Sequence, residues 1–441
     1  MKRILVFISL LLPIVASAQF VTNAEMILPQ SNEIYYKQKI KKLIEDRFIV
    51  MSQDVSGNYS FYTLNKGEGL TRRITIANTM YYTINDFDII KNILYFCGSF
   101  VNSYGVQEGM IGRMSIDDTV LQNITDSIIE LPTVRSVTKI KTKIISGAIH
   151  VYGIGKLSQY PSYQENNCII DLSYPSVGQI SCYLYYDQVD ITVDRFTDID
   201  LTDKYVAVTG YQKDQQDMEV FKRACDDTSA NDFEKYVLGL TGVDSIANNS
   251  FLVRHIGGDT IAIVAVKRNT ISGQVATCIK MIDLHSIILH QITPLFNREI
   301  ACAYYPIKAM EYCKYNNSLL MLQNKQTNAD DIIIYGDLSI PILPTVTAAV
   351  VYGAQLNDLC LHGDLIHYNA IGIANNGNKL FWLNWDVNDT STNCIYFSTL
   401  PVVAKPLETH IYSGIPQHQI KPFVHYYHAQ LTNEPINLIC H

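Results

Sequence analysis

Basic patches are what this chain most plainly lacks. Lys and Arg number 34 against 42 Asp and Glu, giving a formal charge of −8. The basic residues gather no further than the pairs Lys41-Lys42 and Arg72-Arg73. Nucleic-acid binding needs concentrated cations to displace phosphate counterions, so no nucleic-acid partner is expected. A strongly anionic partner is disfavoured on the same ground. The ten cysteines contain no CxxC pair, which argues against dithiol redox chemistry, and none stands at zinc-ligand spacing from a histidine. GxSxG, HExxH and a glycine-rich phosphate loop ahead of a helix are also missing, which removes the usual flags of serine hydrolases, zinc peptidases and nucleotide binders. Triads are defined by geometry rather than motif, so the first of these absences is partial evidence. Sustained 3.6-residue periodicity is rare. The one helix it suggests covers residues 232–240, with a weaker turn at 33–45. After the N-terminus no apolar run reaches the roughly 18 residues a membrane span requires, so no membrane span is expected.

The first 18 residues read as an export signal. Lys2 and Arg3 are its positive start, residues 4–15 its apolar centre, and Ala16-Ser17-Ala18 its cleavage site. Gln19 then begins the mature chain, and the charge becomes −10 once Lys2 and Arg3 are gone. A lipoprotein would need a cysteine where Gln19 and Phe20 stand. The expectation is a secreted protein, periplasmic or extracellular, with residues 19–441 forming a single domain.

What the chain has in quantity is short strand signals. Runs such as Phe48-Ile49-Val50-Met51, residues 261–266, Leu319-Leu320-Met321-Leu322 and Leu380-Phe381-Trp382-Leu383 alternate with turn clusters rich in Asn, Asp and Gly. Residues 86–98 line up without gaps on residues 198–210, an offset of 112, and a weaker copy ends at Gly153. Starts of successive units fall at Phe48, Ile93, Ala148, Tyr205, Ile261, Leu319 and Leu365. Repeats of this length, each a few strands, predict an all-β propeller of four-stranded antiparallel blades. Seven blades fit the spacings, with six or eight as alternatives. These starts are assigned to inner strands. The tail from about Thr409 is expected to complete the last blade with the N-terminal segment, leaving no open sheet edge.

Residues 205–211, Tyr-Val-Ala-Val-Thr-Gly-Tyr, resemble the core strand of bacterial β-propeller repeats that read valine-tyrosine-valine-threonine-glycine-tyrosine. Residues 93–98, continued by 110–114, resemble uncharacterised secreted bacterial propellers. The resemblance covers two units clearly. It implies a fold and a compartment, and it carries no catalytic residues, since propellers host many activities.

Asp86 with Asp88 and Asp198 with Asp200 are the candidate site residues. Residues two apart share a face of a strand, so each pair projects together, near one rim of the channel. Clustered carboxylates there would take Ca²⁺ or act as an acid/base pair on a glycosidic bond. The plainer alternative is that they satisfy turn backbone at equivalent repeat positions. The third unit has Lys141 and Lys143 at the matching places. No cofactor is required by the sequence, and Ca²⁺ is the one ion the pairs suggest. Cys168 with Cys182 is the best local disulfide candidate and Cys302 with Cys313 the second. Seven of the eleven histidines lie from His362 onward, densest at His425 and His428. Tyrosine is abundant at 29 against two Trp, often as neighbours such as Tyr81-Tyr82. Exposed Tyr contacts proteins and sugars well. The combined reading is a binding or scaffolding module for a protein or neutral glycan, with a glycan hydrolase or lyase acting through rim carboxylates as the competitor.

Overall fold

A computed structural model describes most of residues 36–323 together with strands at 25–27, 331–335, 351–355, 369–385 and 394–399. Residues 1–24, 28–35, 336–350, 356–368 and 400–441, and shorter stretches of connecting loop, lie outside the described residues. The signal segment, the histidine-rich C-terminal region and the tail from Thr409 therefore fall outside them.

Among the described residues there are 28 strands in seven four-stranded antiparallel sheets. A three-residue strand, β1 (Glu25–Ile27), comes first. The first sheet is β2 to β5 (Tyr36–Ile44, Arg47–Gln53, Tyr59–Asn65, Gly69–Ile76). The second is β6 to β9 (Thr83–Ile90, Ile93–Val101, Gln107–Ser115, Ile128–Leu131). The third is β10 to β13 (Val134–Ile145, Ala148–Leu157, Asn167–Tyr174, Ser181–Tyr185). The fourth is β14 to β17 (Arg195–Leu201, Tyr205–Tyr211, Met218–Ala224, Glu234–Val237). The fifth is β18 to β21 (Asp244–Gly257, Thr260–Asn269, Val275–Asp283, Phe296–Ile300). The sixth is β22 to β25 (Ile307–Cys313, Ser318–Gln323, Asp331–Tyr335, Val351–Gln355). The last joins β26 to β28 (Asn369–Asn376, Lys379–Trp385, Cys394–Thr399) to β1 at its outer edge. The first strand of each sheet lies against the first strand of the next, and β26 lies against β2. The architecture is a β-propeller.

Burial explains why these segments are strands. A sheet held between two others is covered on both faces, so its central strands read as continuous apolar runs. Residues Leu94 to Phe100 of β7 are all buried. The core is a set of apolar wedges between successive sheets. Phe61, Phe87, Phe96 and Met110 fill the first, and Tyr95, Val137, Val151 and Ile170 the second. Phe48, Val50 and Leu64 meet Phe381 and Leu383 where the first sheet faces the last.

Several expectations are corrected. The predicted unit starts Phe48, Ile93, Ala148, Tyr205, Ile261 and Leu319 fall within the first two residues of β3, β7, β11, β15, β19 and β23, the second strands rather than the innermost ones. Leu365 lies outside the described residues, and the corresponding strand is β27. The last sheet takes three strands from residues 369–399 and pairs β28 with β1 of the N-terminal segment; the tail expected to contribute there lies outside the described residues. The expected helix is a strand: Glu234–Val237 pairs along β16 from Lys222 to Glu219. The weaker one, at 33–45, contains β2. In both places a neighbouring sheet edge supplies the backbone partners that a local helix would have made, and tertiary pairing overrides propensity. Cys168 is buried, and the register sets Leu172 opposite Cys182, so the two proposed disulfide partners are not cross-strand neighbours. Cys313 of the second proposed pair is also buried, while Cys302 lies outside the described residues.

Candidate functional site

The innermost strands line the central channel, and each carries a register shift against its neighbour. In β6 the shift falls between Ile84 and Asp86, in β10 between Val137 and Lys139, and in β14 between Phe196 and Asp198. A bulge re-aims the side chains that follow it. Glycine stands opposite the residue that precedes each of these three shifts: Gly98, Gly155 and Gly210. A Cβ on Gly98 would lie 1.8 Å from the Thr83 carbonyl oxygen, and one on Gly155 2.6 Å from that of Ser136. Gly155, not Gly153, is therefore the partner of Gly98 in the third unit. The residues matching Asp86 and Asp88 there are Lys139 and Lys141, not Lys141 and Lys143.

With this register the channel wall becomes two tiers. The upper runs Lys39, Asp86, Lys139, Asp198, Leu252, Ala309, Gly372 from β2 round to β26. The lower runs Lys41, Asp88, Lys141, Asp200, Arg254, Glu311, Ala374. Charge alternates from one strand to the next over most of the ring. The four sequence-predicted aspartates thus sit on the innermost strands themselves, and Asp86, Asp88 and Asp198 line the channel. They are not polar punctuation ahead of an inner strand.

Each aspartate joins neighbouring blades. Lys39 Nζ lies 3.2 Å from Asp86 Oδ1, and Lys41 Nζ 3.3 Å from the same oxygen. On the other side Asp86 accepts the Ile140 N–H at 3.3 Å, and Asp88 accepts that of Thr142 at 2.7 Å. The pattern repeats two blades on. Lys139 Nζ is 2.8 Å from Asp198 and Lys141 Nζ 3.0 Å from Asp200, while the N–H groups of Val253 and His255 donate to Asp198 and Asp200 at 3.1 and 2.7 Å. Arg254 reaches back to Asp198 at 2.7 Å and donates through Nε to the Met310 carbonyl at 2.6 Å. The belt crosses from β2 to β22.

Burial alone would raise the aspartate pKa values. For Asp86 it is outweighed by Lys39, Lys41 and Lys139 and by the Ile140 N–H; for Asp198 by Arg254, Lys139 and the Val253 N–H. Both carboxyls are held well below the usual range. Asp200 is lowered too, burial being outweighed by Lys141, Arg254 and the His255 N–H. Glu311 moves the other way. Burial raises it, and no hydrogen bond or ion pair within 4 Å is recorded for it among the described residues; Arg254 and Lys141 act on it at longer range. It is the channel carboxyl that sequence reasoning missed. Extending the repeat register to the sixth unit would have found it, opposite Leu320. Among the described residues no group of three or more His, Cys, Asp and Glu could hold a metal ion.

No protein-family model matches the chain, and no curated protein matches it. Solved structures share its fold. The β-propeller domain of Cps50 (Swd1) from Myceliophteria thermophila aligns with a TM-score of 0.51 at 8% identity, covering 86% of this chain and 99% of that domain. The polysaccharide lyase Uly1 aligns at 0.49 and 8% identity over 86% and 94% of the two chains. The WD40 domain of SCAP from fission yeast gives 0.43 and 7% over 88% and 92%. At such identities the likeness is one of fold. No described helix is long and apolar enough to cross a membrane.

Proposed function

We propose that this chain is an exported β-propeller that works as a binding or scaffolding module, holding a protein or glycan partner on one face or at the channel mouth. The observation that carries the reading is the state of three of the four aspartates. A general acid must be protonated near the working pH, yet Asp86, Asp198 and Asp200 are held ionised by facing cations and backbone N–H groups. Their surroundings make them structural ties between blades. Contact surface exists elsewhere. Tyr104 is 89% exposed at the Asn102–Val106 turn and Tyr81 is 74% exposed, while its neighbour Tyr82 is buried. The test is a screen of glycans and candidate proteins against the mature chain, followed by Tyr81→Ala and Tyr104→Ala. Weaker binding without turnover supports the module; unchanged affinity removes these tyrosines from it.

Glu311 favours one second reading, an extracellular glycan hydrolase or lyase. Its raised pKa and its place in the channel suit a proton donor. If that reading holds, Glu311→Gln abolishes glycan turnover while the fold survives. Absence of turnover by the unmodified protein across acidic and neutral glycans rules it out.

A further inference from the structure

The channel carries more than its belt. It encloses about 750 Å³, within the size range of small-molecule sites. Seven lysines and Arg254 line it against four carboxylates, so its lining is cationic although the chain is net negative.

The depth of the charges decides what a ligand meets. The side chains of Lys39, Lys41, Lys139 and Lys141 are 22 to 36% exposed, whereas those of Asp86, Asp88, Asp198 and Asp200 are 2 to 18% exposed. The carboxylates are recessed because they accept backbone N–H groups from the next blade. The ammonium groups stand in front of them. A solute in the channel therefore faces cations even where the pairs balance.

The wall is also uneven. On β22 and β26 the tiers carry only the small residues Ala309, Gly372 and Ala374 beside Glu311. This low sector is flanked by Lys39 and Lys41 on β2 and by Arg254 on β18. We propose that the channel is a binding site for a small carboxylate-bearing ligand, seated over the Ala309–Gly372–Ala374 sector with Lys39, Lys41 and Arg254 as its cationic contacts.

The chemistry narrows the class. Each of these cations already shares an aspartate, so the site balances one or two negative charges rather than a polyphosphate. Arg254 has Nε on Met310 and one terminal nitrogen on Asp198, which leaves it no full fork for a phosphate. Glu311, in the same sector, is raised in pKa by burial and donates to an anion when protonated. Two sources offer the chemistry, a free polycarboxylic acid and a uronic-acid residue of a glycan. Either departs from the neutral ligand the composition suggests, because global charge does not report a local channel.

The inference rests on the binding-module reading and deepens it. Titration calorimetry of the mature protein, in low and in physiological salt, would use citrate, a tetragalacturonate, and the same oligosaccharide with its carboxylates methyl-esterified. Citrate or the free-acid oligosaccharide is expected to bind, more weakly in higher salt. The ester is expected not to bind. Lys39→Gln is expected to weaken binding about tenfold through loss of one charge-assisted contact, with Asp86 still held by Lys41 and the Ile140 N–H. Ala309→Phe, which fills the low sector and leaves the ion pairs intact, is expected to abolish binding and serves if Lys39→Gln does not fold. Equal binding of ester and acid, or no binding of either carboxylate, overturns the site. Cleavage of the bound oligosaccharide keeps the site and overturns the module; a partner that binds Tyr81 or Tyr104 while the channel takes no anion does the reverse.

Discussion

Replacing Asp198 with alanine tests the blade-joining role most directly. The side chain is 2% exposed and holds Lys139 Nζ at 2.8 Å, Arg254 at 2.7 Å and the Val253 N–H at 3.1 Å. Its removal leaves two cations and a backbone donor without their acceptor at the junction of β10, β14 and β18. Breaking a buried pair costs about 3–5 kcal/mol. Lys139 keeps partial access to the channel, which places the expected loss near 3 kcal/mol. Asp198→Asn, which keeps an acceptor for Val253, should cost about half as much, since hydrogen bonds to charged groups are roughly twice as strong as neutral ones. Urea unfolding followed by circular dichroism gives the change, provided the slope with denaturant is the same in both proteins. Lys204→Ala is the control: its side chain is 64% exposed and its pair with Asp259 spans 3.9 Å, so a change under about 1 kcal/mol is expected. If Asp198→Ala loses no more than that control, the belt does not hold the blades and the reasoning fails.

Three further outcomes follow from the same geometry. Asp86, Asp198 and Asp200 have folded pKa values below their unfolded ones, so their stabilisation is complete above the unfolded carboxylate value of about 3.9 and disappears as pH falls below it. Glu311, raised by burial, opposes folding as pH rises past its unfolded value of about 4.3. Melting temperature should therefore fall steeply below about pH 4, and less steeply in Asp198→Ala; parallel curves would contradict this. Gly155→Ala should cost about 1–3 kcal/mol through the clash with the Ser136 carbonyl, and Gly153→Ala, whose Cβ meets nothing nearer than 3.3 Å, clearly less. The opposite order would restore the sequence alignment on Gly153. Cys97 and Cys168 are buried, and the Cys225 thiol is pushed up to about 11 by burial; native protein should leave all three unalkylated at pH 8, and ready alkylation of any of them would contradict their placement.

The repeat was legible because the second strand of each blade is buried on both faces and has little freedom of composition. Tyr-Phe-Cys-Gly and Val-Ala-Val-Thr-Gly occupy the same place in β7 and β15 for that reason. The innermost strands were harder to read. A channel wall tolerates Lys, Asp, Leu, Ala or Gly at one structural position, so β2, β18, β22 and β26 share almost no residues with β6. Bulges hid the register as well. A gapless alignment chose Gly153 because it follows the apolar run, whereas the backbone requires glycine two residues later, where Ser136 approaches. The aspartates were recognised as paired, but their partners lie 45 to 59 residues away on neighbouring blades, beyond any local pattern.

Channel geometry explains why the belt is ionic. Inner strands converge on an axis and leave a space of about 750 Å³ between them. An apolar lining would face water and gain little from burial. Long lysine side chains can instead cross to the adjacent strand, their methylenes along the wall; Lys41 Nζ, for one, lies 5.5 Å from the centroid of the Phe87 ring on β6. A short aspartate suits the receiving end because it must also reach the next strand's N–H groups. That division of labour fixes which charge is recessed. Any propeller that joins its inner strands with short acids and long bases presents a cationic channel, whatever its net charge. Reversing the Lys139–Asp198 pair by double substitution should keep that ion pair but lose the Val253 hydrogen bond, since a lysine cannot accept it, and set a second cation against Arg254. A stability loss of at least about 1–3 kcal/mol is therefore expected; full recovery would mean that neither the Val253 N–H nor Arg254 depends on a carboxylate at this position.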